Sequence, residues 1–329
     1  IIRDFLYKMT DNALSLNERA FLSVCQLKGD VPINQLAKEA GLPAHTAGRI
    51  LRRLIQNGVL RPYSIVNHFL LGKFEIGLYL NILNTNQESP YKLKELQKLP
   101  EVASITTLGG RFNCCIDLLA SNPVSQVHAL SAIRNNQSCL VVDQEVVLRL
   151  KRTIFQRKLF SEHGAFGGAI SFEPTSNKES INADEQKLLD LLSLAPDQSL
   201  AYYGTKLGYS PAGIANKLHS LKKRKILLGK AYAVIALKLG LSVYRILLTT
   251  RALSKSDTDR FIRFCKLDRS TVTLTECLGA WNYEIRAEFL NIEEVTDFRA
   301  RLEKVLGPSI QRIEFVPFLG TTHMSGYSP

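Results

Sequence analysis

Residues 107–118 read T-L-G-G-R-F-N-C-C-I-D-L and gather several reactive residue types in one short stretch. Glycines suit a phosphate cradle, adjacent cysteines suit a metal or redox centre, and Gly with Asn also suits a tight turn. The cysteines make the weakest case. Cys25, Cys114, Cys115, Cys139, Cys265 and Cys277 form no C-x-x-C, and no His stands at zinc-finger spacing from a Cys pair. Neighbouring Cys114 and Cys115 point to opposite faces of a strand, so they are poor partners for one metal. They read as buried reduced thiols. A second stretch, G-A-W-N-Y-E-I from Gly279, keeps the Gly-x-aromatic-Asn frame and has no cysteine. That argues against a shared metal or redox site. No helix plainly begins after either stretch, which disfavours a phosphate cradle. A hairpin turn remains, with Gly supplying positive φ and Asn tolerating or capping it.

Cations are the second candidate chemistry. The formal net charge is +12, and 198–256 contains no Asp or Glu. A clustered positive charge favours a polyanion partner. Other chemistry finds little support. The chain has no G-x-x-x-x-G-K-[ST], no H-E-x-x-H, no G-x-S-x-G and no RNA-binding consensus. His45, His68, His128, His163, His219 and His323 are scattered. The expectation is therefore no catalytic residue, no metal, no cofactor and no enzymatic activity. No apolar run approaches a membrane span, and the first residues lack a signal-peptide pattern, so a cytoplasmic protein is expected.

The elements that must position these residues occur twice. Residues 15–60 align without a gap on 182–227, with Glu18/Glu185, Leu22/Leu189, Asp30/Asp197, Gly41/Gly208, Leu54/Leu221 and Leu60/Leu227 identical. The matches fall on helical apolar positions and on a turn glycine. Each copy opens with three helices. In the first, Ser15 or Asn17 caps a helix whose Ala20, Phe21, Val24 and Leu27 share a face. Pro32 starts the second helix, and Gly41 ends it. The third, 43–57, turns Ala47, Ile50, Leu51 and Leu54 inward and is followed at Gly58 by a wing-like hairpin. This order reads as a winged helix-turn-helix with a basic third helix. The rest of each copy reads β-α-β-β-α-β. In the first copy the elements are 74–83, 91–97, 103–108, 114–120, 124–133 and 140–150. The fold class is α+β: two tandem units, each a winged helix-turn-helix followed by a ferredoxin-like βαββαβ domain. Expected boundaries are 1–66 and 67–157 for copy one, a Gly/Ser linker at 158–180, and 181–236 and 237–329 for copy two.

This pattern resembles the Lrp/AsnC (leucine-responsive/asparagine regulator) family of transcription factors. The carrying residues are LNERAFLSVCQ, INQLAKEAGLPAHTAGRILRRLIQNGVL, the Leu71-Gly72 pair before the first strand, and GGRFN. The resemblance implies a regulator that binds double-stranded DNA and senses a small molecule, such as an amino acid, through paired ferredoxin-like domains. DNA would face His45, Thr46, Arg49, Arg52 and Arg53 in copy one, and Asn216, His219, Lys222 and Lys223 in copy two. The effector would sit near Gly109, Gly110, Arg111, Asn113, Gly279, Trp281 and Asn282. Pairing would occur within one chain as a pseudo-dimer or between chains as a homo-oligomer. The family usually has one unit per chain, so two copies are a departure. Lys225 stands where Gly58 ends the third helix, Lys217 replaces Ile50, and Gly204 replaces Ala37. Sirohaem decarboxylases resemble the same two-domain architecture, which gives the alternative of such an enzyme. A third reading is an effector-binding protein that has lost DNA binding.

Overall fold

The computed structural model describes residues 14–84, 96–134, 139–160 and 168–324. In copy one, helix α1 (Leu16–Cys25) starts at Ser15, whose side chain accepts from Glu18 N while Glu18 reaches back to the Ser15 backbone. This reciprocal cap satisfies donors that the first turn leaves open. Helices α2 (Ile33–Glu39) and α3 (Ala44–Gln56) follow. Phe21, Leu22, Leu36, Ala47, Ile50 and Leu54 form their shared core. Gly41 and Gly58 take φ values of 67° and 64°, the left-handed conformation that lets the chain turn after each helix.

Copy two repeats this with α5 (Ala183–Leu194), α6 (Leu200–Leu207) and α7 (Pro211–Lys223). Its departures have local causes. At Gly204 an added Cβ would lie 2.5 Å from the Tyr209 carbonyl oxygen, so Ala does not fit there. Lys217 extends over the Tyr209 ring at 4.4 Å instead of entering the core. Lys225 adopts φ 59° where copy one uses glycine.

The wing differs from the expected hairpin. Strand β1 (Leu60–Val66) does not fold back on itself; it pairs antiparallel with β7 (Leu227–Val234), its counterpart in copy two. Each strand thus satisfies its backbone groups on the other copy.

The remaining strands of copy one are β2 (Phe74–Asn84), β3 (Val102–Leu108), β4 (Cys114–Ala120) and β5 (Cys139–Phe155), with α4 (Pro123–Arg134) between the last two. The expected helix at 91–97 falls up to residue 95 outside the described residues; Leu96–Lys98 form a 3-10 turn. Copy two contributes β8 (Ser242–Thr250), α8 (Lys255–Leu267), β9 (Thr271–Gly279), β10 (Tyr283–Phe289), α9 (Ile292–Leu306) and β11 (Ile310–Met324). These are the βαββαβ elements in order.

The sheet order is β2-β4-β3-β11-β8-β10-β9-β5-β6, where β6 is Ala169–Phe172, and β2 also pairs with β5. The first eight strands therefore close on themselves as an antiparallel barrel, with no free edge. Two seams join the copies, β3 to β11 and β5 to β9. The ferredoxin-like domains thus pair within one chain. Side chains alternate along each strand. Outward-facing Ile76, Leu78, Leu80, Ile116 and Leu118 pack with Ala129 and Ile133 of α4. Ile246, Leu248, Ile285 and Phe289 pack with Phe261, Phe298 and Leu302 of α8 and α9. The other face of every strand looks into the barrel.

The stretch read as a linker is more ordered than its Gly/Ser content implied. It carries β6 (Ala169–Phe172), which pairs with the end of β5, and Lys158, Leu159 and Phe160 are buried. Its apolar residues find existing core clusters. Among the described residues no helix is long and apolar enough to cross a membrane.

Candidate functional site

Half of the barrel interior is apolar. Tyr79, Phe112, Cys115, Val147, Cys277, Trp281 and Val316 fill it. The other half is charged, because inward positions of β2, β4, β5, β8 and β10 carry Glu75, Asp117, Arg149, Arg245, Glu284, Arg286 and Glu288. Arg149 is 1% exposed. Its Nη1 donates to Glu75 Oε1 at 2.9 Å and to Asp117 Oδ1 at 2.7 Å, and its Nε donates to Glu284 Oε2 at 3.0 Å. Gly77 leaves room for it; a Cβ there would lie 2.8 Å from Arg149 Nη2. Arg152 also pairs with Glu75. Arg245 donates to the Tyr79 hydroxyl at 3.2 Å and lies 3.5 Å from Asp117 Oδ2. Arg157 makes two 2.7 Å bonds to the Glu288 carboxylate. Burial alone would raise the Glu75 and Asp117 carboxyls. The surrounding arginines, with His68 beside Glu75, instead hold both well below the usual carboxylate range.

Over this charged half lies a cavity of about 210 Å³. The barrel and the wing ribbon enclose it together. Arg61 and Tyr63 of β1 and the segment 233–237 form one wall, and Arg149, Arg152, Arg157, Arg245 and Arg286 reach it from below. The five arginines below face four carboxylates, Glu75, Asp117, Glu284 and Glu288, so one positive charge is in excess. Arg286 shows the shortage of counter-charge most clearly. Its Nε is buried without a hydrogen-bond partner, and its nearest carboxylate oxygen, on Glu288, is 3.7 Å away. Burial pulls its pKa down to about 10; Glu288 opposes this, while Arg157 and Arg245 reinforce it. Burial also lowers Arg61. An anion is the chemistry this space accepts. Tyr63 is the neutral proton donor on the wall. Burial pushes its phenol up to about 12 against the pull of Arg157, Arg286 and Arg152.

The residues singled out from sequence lie elsewhere. Both glycine turns meet at the apolar half, where Phe112 and Trp281 have ring centroids 6.3 Å apart. Gly110 takes φ 85°. Asn113 bonds the Ile82 backbone through both ends of its amide, and Asn282 accepts from Thr250 N at 2.7 Å. Arg111 pairs with Asp143 and Glu145, and Trp281 donates to Glu284 at 3.2 Å. Gly109 N donates to the Pro317 carbonyl, and Gly279 stands opposite Val147 across a seam. None of these seven lines the cavity. On the third helices, His45, Arg49 and Arg52 are exposed, with Thr46 half-buried beside His45. Arg53 pairs with Glu18, and Lys222 pairs with Asp30 of copy one at 2.8 Å. Asn216, His219 and Lys223 are exposed. The cavity arginines carry little signal in the sequence: Arg245 is a lone charge in an apolar strand, and the alternation of Glu284, Arg286 and Glu288 in β10 reads as a solvent face. The available signal was that these strands belong to a closed barrel.

No protein-family model and no curated protein matches the chain. Among solved structures it is similar to the siroheme decarboxylase NirDL, with 15% identity over 94% of this chain and 93% of that one and a TM-score of 0.54. NirDL in co-complex with an iron-uroporphyrin III analogue gives 14% identity, 98% and 92% coverage and a TM-score of 0.51. An AsnC family transcriptional regulator from Agrobacterium tumefaciens matches 45% of this chain and 97% of its own, at 14% identity and a TM-score of 0.39. The likeness is one of fold. It corrects the expectation that the chain is not an enzyme, because the end-to-end architecture is one that an enzyme uses.

Proposed function

We propose that the protein is a decarboxylase-type enzyme acting on a carboxylate-rich tetrapyrrole of the siroheme class. The observation that carries this is the arginine-walled cavity with positive charge in excess of its buried carboxylates. The full-length likeness in fold to NirDL supports it. At 210 Å³ the cavity is smaller than the roughly 300–1,000 Å³ of whole-ligand sites. It takes a carboxylate-bearing edge of the macrocycle, with the rest lying outside.

Arg61, Arg157 and Arg286 hold the spectator carboxylates by charge-assisted hydrogen bonds. The reacting carboxylate lies against the apolar wall of Ile154, Val243, Val272 and Phe318, where it loses hydration. The bond between the carboxyl carbon and its methylene breaks, and carbon dioxide leaves. The electron pair stays on the methylene carbon and takes the phenolic proton of Tyr63. Arg152, Arg157 and Arg286 stabilise the phenolate until solvent reprotonates it. No oxidant is consumed.

The test is incubation with an iron-uroporphyrin-type substrate, following product mass and released carbon dioxide. Tyr63→Phe is expected to lower turnover about 100-fold or more with binding retained, and Arg286→Ala to weaken binding. Failure of the unmodified protein to bind or decarboxylate such tetrapyrroles rejects the proposal.

A second reading has its own observation. His45, Arg49 and Arg52 lie at i, i+4 and i+7 on one exposed face of α3, a face suited to duplex DNA. In that reading, replacing Arg49 and Arg52 with Ala flattens the salt dependence of duplex binding by about one per phosphate contact. Unchanged affinity and slope reject it.

A further inference from the structure

We infer that the barrel has one open anion-binding mouth and that its symmetry-related mouth is sealed by strand β6 and His68. The ligand chemistry of the open mouth rests on the proposed function; the seal rests on packing alone.

The two copies place equivalent segments at opposite sides of the wing ribbon. Ile235 N donates to the Val59 carbonyl, and Asn67 N donates to the Ile226 carbonyl, both at 2.8 Å. Ile235, Ala236 and Leu237 therefore correspond to Asn67, His68 and Phe69. The first three line the cavity, and the second three do not. Where Ala236 leaves space, the imidazole of His68 occupies it and is 3% exposed. Phe172 of β6 then closes over it, edge-on to His68 at 5.6 Å and 6.1 Å from Phe69 between ring centroids. Backbone pairing with the end of β5 holds Phe172 opposite Arg152. Among the described residues β11, the counterpart of β5, carries no such added strand.

The covered mouth keeps the marks of a polar lining. Asn67 Oδ1 and His68 Nδ1 are buried without hydrogen-bond partners, and His68 Nε2 faces Glu75 Oε2 at 3.5 Å. Buried polar atoms without partners are rare, and His68 lies under the Phe172 ring. The charge has also diverged. Arg61, Arg245 and Arg286, which line the cavity, correspond to Leu228, Gly77 and Asp117.

Two measurements on the whole chain test this. Calorimetric titration with an iron-uroporphyrin should give one ligand per chain. Diethyl pyrocarbonate labelling, read by mass spectrometry, should modify exposed His45 and His219 and spare His68. Phe172→Ala should bring His68 into reaction without adding an anion site, and Arg286→Ala should leave His68 protected. Two ligands per chain overturn the inference. So does labelling of His68 in the unmodified protein at the rate of His45, or continued protection of His68 in folded Phe172→Ala. If Phe172→Ala does not fold, stoichiometry and labelling of the unmodified protein decide. If no tetrapyrrole binds, the proposed function fails on its own, and His68 reactivity still judges the seal.

Discussion

Arg149 reaches three carboxylates from the middle of a strand, and its removal strands all three in the barrel. Arg149→Met should cost about 3–5 kcal/mol in urea unfolding, the usual penalty for orphaning a buried charge partner. The same cluster sets an acid limit. In the unfolded chain the Glu75 and Asp117 carboxyls titrate near pH 4. In the fold their pKa values lie well lower, so the stability they contribute is complete above pH ~4–5 and is lost as pH falls toward the folded values. Urea midpoints at acid and neutral pH should show this loss, and Asp117→Asn should show less of it. Two backbone positions predict gains. Gly48 sits inside α3, and the nearest atom to an added Cβ is Ile33 Cγ1 at 4.0 Å. Gly48→Ala should stabilise by about 1 kcal/mol. Lys225 holds φ 59°, and Lys225→Gly should recover roughly 1 kcal/mol. Both are read as shifts in thermal or urea midpoint.

At the scale of elements, local rules carried far. The Ser15 and Asn182 caps, each with Glu three residues on, set the start of α1 and α5. Replacing either with Ala should cost about 1 kcal/mol, measurable as a lower urea midpoint. The expected strands at 103–108 and 114–120 correspond to Val102–Leu108 and Cys114–Ala120. What local pattern did not supply was pairing across the copies. β1 has the composition of a hairpin arm, yet its partner β7 is far along the chain. β6 lay hidden in a Gly/Ser-rich stretch because four residues with one buried phenylalanine leave almost no periodic signal. The candidate site was less legible than the fold for the same reason. Arginines of four separate strands, β1, β5, β8 and β10, meet only once the barrel closes.

The whole molecule also redistributes its charge. The acid-free run 198–256 clusters positive charge along the chain. In space, Lys217 faces Asp184, Lys222 faces Asp30, Arg224 faces Glu179 and Glu185, Lys230 faces Asp197, and Arg245 turns into the barrel toward Asp117. Acids from other segments neutralise much of the run. Because both seams are internal, one chain completes the barrel. Its urea midpoint should therefore not change with protein concentration; a midpoint that rises with concentration means that a second chain completes the fold. The internal seams have another consequence. In a barrel built from two identical chains, every inherited change appears in both halves at once. A chain that supplies both halves escapes that duplication. Asp117 and Arg286 occupy matching places with opposite sign, which two identical chains cannot arrange. Two halves joined in one chain can carry different charges at equivalent places, and both copies supply residues to the one cavity.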